Sequence, residues 1–179
     1  MFEDAKKLIF RTLKNDDYHF VLRWSKDEKF CEANGWRKNL DEEELFSWWQ
    51  YSVNLNRKDF IRLGIEYKDR LIGYADLAEI QSDSAEIGIA IGESQLWGKG
   101  IGTTVTHMFI KYAFEKFGIT TFYGETHETN FRSRRMMEKL GFEEVSRNGS
   151  EIYLNKDTPL MQYKLYLETD DTLRIRLPI

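Results

Sequence analysis

Three glycines within five residues, Gly98, Gly100 and Gly102, stand between a strand-like run and a helical one. In the preceding run, residues 85–91, Ile87, Ile89 and Ile91 share one face, and Glu86, Gly88 and Ala90 share the other. The following residues read as a long helix through about Phe117, with Gly118 placed to end it. Closely spaced glycines let backbone N–H groups approach a ligand without Cβ obstruction. A helix start behind them adds unpaired donors and the positive end of the helix dipole. Strand, glycine turn and helix in this order make a candidate phosphate or diphosphate site. The plainer alternative is a tight turn that holds nothing.

Known phosphate loops narrow the choice. A G-x-x-x-x-G-K-[ST] loop fails, because Gly100 follows Gly98-Lys99 and no glycine lies five residues before Gly98. The dinucleotide pattern G-x-G-x-x-G fails at its last position, which is Thr103. No H-R-D sequence follows to support a kinase glycine loop.

Around the glycines the chain reads as one mixed α/β domain over residues 1–179. Residues 8–13 form a short strand. Asn15-Asp16-Asp17 offers a cap for a helix carrying Phe20, Val21 and Trp24. Asp41 to Glu44 puts acid in the first turn of a second helix, followed by Leu45, Trp48, Trp49 and Ser52. Residues 60–67 and 71–77 form a hairpin about Lys68-Asp69-Arg70. After the long helix come a strand at 120–126 and a helix capped by Thr129 or Asn130 that ends at Leu140-Gly141. Late strands follow at 142–145, 152–154 and 160–167. The tail Leu173-Arg174-Ile175-Arg176-Leu177 alternates like an edge strand, suited to pairing with another chain's sheet as in a homodimer.

Composition removes whole classes of function. Twelve Phe, nine Tyr and five Trp with a net charge of −4 exclude intrinsic disorder and give no global nucleic-acid footprint. One cysteine excludes a disulfide scaffold, and His19, His107 and His127 lack metal-site spacing, so no metal is expected. No run is long and apolar enough to span a membrane, and the first residues lack a signal-peptide layout. The expected location is the cytoplasm.

The loop Trp97-Gly98-Lys99-Gly100-Ile101-Gly102 resembles the acetyl-CoA loop Q/R-x-x-G-x-G/A of the GNAT superfamily of N-acetyltransferases. Both glycines match, and Trp97 replaces Gln or Arg. Asn130-Phe131-Arg132-Ser133 followed by Glu138-Lys139-Leu140-Gly141-Phe142 resembles the branch that includes the ribosomal-protein N-terminal (RimJ/RimL-like) acetyltransferases. The resemblance spans roughly residues 8–167 and is strongest from Glu86 to Phe142. It implies a mostly antiparallel central sheet with helices on both faces and two parallel strands that splay apart at the cofactor site. It implies that pantetheine bonds to strand backbone at Ile89 to Ile91, and that the diphosphate rests on N–H groups from Gly98 through Lys99, Gly100, Ile101 and Gly102 to Thr103. Trp97 in place of Gln or Arg removes one side-chain contact and leaves the backbone donors intact.

The implied reaction is direct attack of a primary amine, on a protein N-terminus or a small molecule, on the thioester of acetyl-CoA. It needs a base for the amine proton, N–H donors for the oxyanion and a way to protonate the departing thiolate. Glu86 is the base candidate, since it begins the strand and shares a face with the small Gly88 and Ala90. Asp76 is a weaker alternative, or a substrate contact. Asn130 and Ser133 lie three apart at a helix start, where capping is the bland reading. The functional reading puts Asn130 on pantetheine or a water and makes Ser133 the acid. The tyrosine that many relatives carry seven residues after this asparagine is Met137 here. Arg132 and Arg135 are within reach of cofactor phosphates or form a solvated face. Tyr123 and Glu125 share a strand face on the acceptor side. Four of the five tryptophans fall between Trp24 and Trp49, where this fold builds its acceptor wall. Trp24 and Trp36 are the candidates for stacking on a cationic amine, with Asp27, Glu28 and Glu32 to attract it. The missing tyrosine keeps a non-catalytic acyl-CoA sensor open as an alternative, and a nucleotide-binding module is a third.

Overall fold

A computed structural model describes residues 4–37 and 40–167. Among them seven strands form one sheet: β1 (Leu8–Arg11), β2 (Ile61–Tyr67), β3 (Arg70–Ala78), β4 (Ser84–Ile91), β5 (Thr121–His127), β6 (Glu143–Tyr153) and β7 (Lys156–Tyr166). Their order across the sheet is β1-β2-β3-β4-β5-β7-β6. Every neighbouring pair is antiparallel except β4 with β5. The helices are α1 (Tyr18–Trp24), α2 (Glu28–Ala33), α3 (Glu42–Val53), α4 (Ile101–Phe117) and α5 (Phe131–Lys139).

Alternation along the strands divides the interior into two cores. Ile72 and Ile91 point to one face and share a core with Val105, Phe109 and Ala113 of α4, Met137 of α5 and Leu140 just after it. Their neighbours Leu71 and Ala90 point to the other face, against Val21 and Trp24 of α1, Phe30 of α2, and Leu45 and Trp49 of α3. Helices on both faces of a mostly antiparallel sheet are what the sequence reading led us to expect.

The one parallel pair is short. β4 and β5 are in register only at Ser84–Thr121, Ala85–Phe122 and Glu86–Tyr123. Beyond Glu86 the two strands part, β4 continuing against β3 and β5 against β7. The Gly92 N–H donates to the Ile72 carbonyl, so the backbone groups of that parity face β3. Ile89 and Ile91 therefore turn their own N–H and C=O toward the gap.

Two local expectations change. The strands placed at 142–145 and 152–154 are a single eleven-residue β6, exposed along all but its last residue. Its polar middle, Ser146 to Ser150, looks like a turn in sequence, yet pairing with β7 carries it through, with irregularities at Glu144/Ser146 and Arg147/Ser150. Helix α2 is a separate element, where the sequence reads as one helical stretch broken at Asn34-Gly35. Asp27 starts it by accepting from the Lys29 and Phe30 N–H groups, a capping role that ties down one of the acids assigned to amine attraction. The alternating Leu173–Leu177 segment lies outside the described residues. No described helix is long and apolar enough to cross a membrane.

Trp24, only 1% exposed, packs face-on against Gly92 just beyond β4. A Cβ at Gly92 would lie 2.1 Å from the indole. Gly92→Ala is therefore expected to cost about 1–3 kcal/mol by overpacking, read as a lowered urea midpoint with an unchanged m-value.

Candidate active site

Gly98 and Gly100 take left-handed backbone conformations, with φ of 76° and 82°, which residues with a side chain rarely adopt. They bend the chain sharply enough that α4 begins at Ile101 and points its N-terminus back toward the gap between β4 and β5. A cavity of about 470 Å³ opens there, within the usual size of a small-molecule site. Ile89 and Ile91 form its strand wall. Trp97, Gly98, Gly100, Gly102 and Thr103 form the loop wall, and Asn130, Arg132, Ser133 and Arg135 the α5 wall. The structure thus brings together the expected loop, strand and α5 residues. Two loop residues stand apart from the cavity wall: the Ile101 side chain is buried in the α4 core, and Lys99 is exposed to solvent.

Side chains at the mouth have defined partners. The Trp97 indole N–H donates to the Ile91 carbonyl at 2.8 Å, capping one of the gap-facing backbone groups. The Asn130 side-chain oxygen accepts from the Ser133 N–H at 3.2 Å, so it caps α5 while lining the cavity. The Ser133 hydroxyl makes no hydrogen bond among the described residues and faces the same space. Met137, 5% exposed, packs on Gly124 in the same core as Ile87. The position where many relatives carry a proton-donating tyrosine is thus apolar core.

Glu86 lies outside the cavity wall, on the opposite face of β4 from Ile89 and Ile91. Its Cα is the partner of Tyr123 on the last rung before the strands part. Surrounding protein, and then the charges of Glu79 and Glu125, push its pKa up. A carboxyl held in this way suits proton uptake near neutral pH better than an ordinary one. Tyr123 is exposed beside it. Replacing Glu125 or Glu79 with Gln should lower the Glu86 pKa, because each substitution removes a like charge; carboxyl-carbon NMR titration reads the shift directly.

The acceptor wall differs from the sequence reading in two places. Trp24 is sealed in the core against Gly92, and a side chain without exposed surface cannot stack on a substrate. Trp36 stays part-exposed, edge-on to Phe30 and Trp48. Asp76 is committed to Arg62, whose Nε and Nη2 donate to its two oxygens at 2.8 and 2.6 Å. The guanidinium lies over the Tyr74 ring at 4.4 Å, with Phe60 and Trp48 farther out. Burial raises the Asp76 pKa and Arg62 opposes it. Asp76 is therefore half of a closed ion pair, which removes it as a base. Arg62→Met should destabilise the fold by about 3 kcal/mol, because a mostly buried carboxylate loses its partner. Arg62→Met combined with Asp76→Leu should recover much of that loss in chemical denaturation.

Ala33 and Asn34 at the end of α2, and Met136 and Lys139 of α5, also line the cavity and were not singled out from sequence. Lys139 lies four residues after Arg135 and seven after Arg132, a helical spacing that could have marked the shared face. Nothing local marks Ala33 or Asn34, which arrive through the separate α2.

A glycine loop at a helix start, opening into a gap between splayed parallel strands, defines a site for an extended phosphate-bearing ligand that threads between strands. Residues 7–143 match the acetyltransferase (GNAT) domain model, and the chain belongs to this family, whose members use acetyl-CoA. An uncharacterized protein of Methanocaldococcus jannaschii is 32% identical over 149 residues. The match covers 81% of this chain and 30% of that protein, so the chain spans less than a third of that relative's length. Among solved structures, spermidine N-acetyltransferase from Vibrio cholerae, in complex with CoA and spermine, superposes with a TM-score of 0.76 at 21% identity. That match covers 90% of this chain and 96% of the other. The ribosomal α-N-protein acetyltransferase RimL, with coenzyme A, gives 0.78 at 16% identity, covering 92% and 96%.

Proposed function

We propose that the chain is an acetyl-CoA-dependent N-acetyltransferase acting on a primary amine, on a protein N-terminus or a small molecule, by direct attack. The observation that carries this reading is the cavity itself. It joins the N–H-rich Gly98–Thr103 turn to the gap-facing backbone of Ile89 and Ile91, of which the Ile91 carbonyl is taken by Trp97, as a diphosphate followed by an amide-bearing pantetheine arm requires. Acetyl-CoA supplies the acetyl group as a reactive thioester. Glu86 takes the proton that the attacking amine gives up, directly or through a water. Gap-facing N–H groups of β4 hold the oxyanion. Ser133 returns a proton to the departing thiolate, since Met137 cannot. Asn130 fixes the start of α5 and meets the pantetheine arm. Glu79, Glu86 and Glu125 cluster on the acceptor side and favour an acceptor that carries positive charge. Trp36 and Tyr123 flank it.

The test is thiol release from acetyl-CoA across a broad panel of amines and N-terminal peptides. Turnover with at least one amine is expected, and Glu86→Gln should lower kcat about 10²- to 10⁴-fold with acetyl-CoA affinity kept. Unchanged turnover in this variant removes Glu86 as the base. Buried Met137 in place of tyrosine favours a second reading, a non-catalytic acyl-CoA sensor, which predicts CoA binding with no thiol release from any amine. Gly100→Val should abolish CoA binding under both readings, because the left-handed turn cannot form without strain. Retained affinity would exclude the loop.

A further inference from the structure

The loop's first residue, Trp97, breaks the family pattern, and the structure places a guanidinium over it. Arg132 sits in the first turn of α5 with its guanidinium carbon 4.0 Å from the centroid of the Trp97 ring. The indole is itself pinned by its 2.8 Å hydrogen bond to the Ile91 carbonyl, so the platform is fixed to β4. Both side chains line the cavity next to Gly98 and Gly100. Among the described residues the Arg132 guanidinium pairs with no carboxylate, whereas Arg62 and Arg147 each do. An aromatic face holds a guanidinium in place without neutralising it, leaving the planar fork of N–H donors for an oxyanion.

We infer that Trp97 is a positioning residue that holds Arg132 against the diphosphate of the cofactor, and that Arg132 thereby restores the side-chain contact that Gln or Arg at position 97 supplies elsewhere in the family. The assignment rests on the acetyl-CoA reading above. It names the diphosphate because Trp97 is chain neighbour to Gly98, at the edge of the turn whose N–H groups face that group. Arg135 and Lys139 follow along the same helix face, one and two turns farther from Trp97.

Calorimetric titration with acetyl-CoA, acetyl-dephospho-CoA and S-acetylpantetheine tests it. Arg132→Ala should weaken the first two equally, by about ten- to a hundredfold, and leave S-acetylpantetheine unchanged. Trp97→Leu should reproduce most of that loss, and Trp97→Phe, which keeps a ring, should lose less. The double variant Trp97→Leu/Arg132→Ala should bind no worse than Arg132→Ala alone. A loss confined to acetyl-CoA would move Arg132 to the 3′-phosphate and overturn the proposal. An equal loss for S-acetylpantetheine, or additive losses in the double variant, would make the pair merely structural. Arg132→Ala and Trp97→Phe carry the test if Trp97→Leu fails to fold. If the unmodified protein binds none of the three ligands, the acetyl-CoA reading falls and this proposal with it. Wild-type binding with unaltered variants overturns the proposal alone.

Discussion

The site depends on where two parallel strands stop pairing. β4 and β5 share only three rungs, ending at Glu86 and Tyr123. A fourth rung would pair the gap-facing backbone of β4 with β5 and close the cavity. Beyond the parting, each strand keeps one partner, so the sheet holds together while one edge of its interior stays unpaired. Unpaired backbone groups inside a protein are costly unless something satisfies them. Here Trp97 satisfies the Ile91 carbonyl, and the remaining groups face a cavity that a ligand rich in amides can enter. The opening is thus part of the fold, and the glycine turn aims the start of α4 at it.

The two faces of β4 divide the work. The isoleucine face packs on α4 and α5 and ends in the cavity, where apolar walls and N–H donors meet. The Glu86 face looks toward α1, α2 and α3, where charge is settled before a ligand arrives. Arg62 and Asp76 close on each other over Tyr74, making a rigid, nearly neutral wall. Glu86 is left with like charges for neighbours. Burial raises the pKa of both carboxyls, but Asp76 has the guanidinium of Arg62 against it and Glu86 faces like charges, although both are candidate bases on adjacent strands.

The difference between them turns on one irregularity. Lys68 and Asp69 form a two-residue hairpin turn with left-handed backbone at both positions. Counting outward from that turn would set Arg62 opposite Ala75. A register shift between Ile65 and Glu66 instead sets Arg62 opposite Asp76. No residue type at 65 or 66 announces the shift, so the ion pair was invisible in sequence. Trp24 poses a similar problem. Its helical spacing showed that it faces inward, but whether inward meant core or pocket depended on how closely β4 and its extension approach α1, and Gly92 permits the closest contact.

The sequence by itself determined the elements that local chemistry controls. These are the alternating β4, the glycine turn with its helix, the Asn130 cap, and the absence of a tyrosine at 137. Each rests on backbone freedom, side-chain period or residue identity within a few positions. Only the tertiary structure decided how far β4 and β5 pair, which acid is free, which tryptophan is wall or core, and that Arg132 lies on Trp97. Each of those joins residues distant in the chain. They are fixed by strand register and helix packing, and both are set by burying the two cores together rather than by any short stretch of residues.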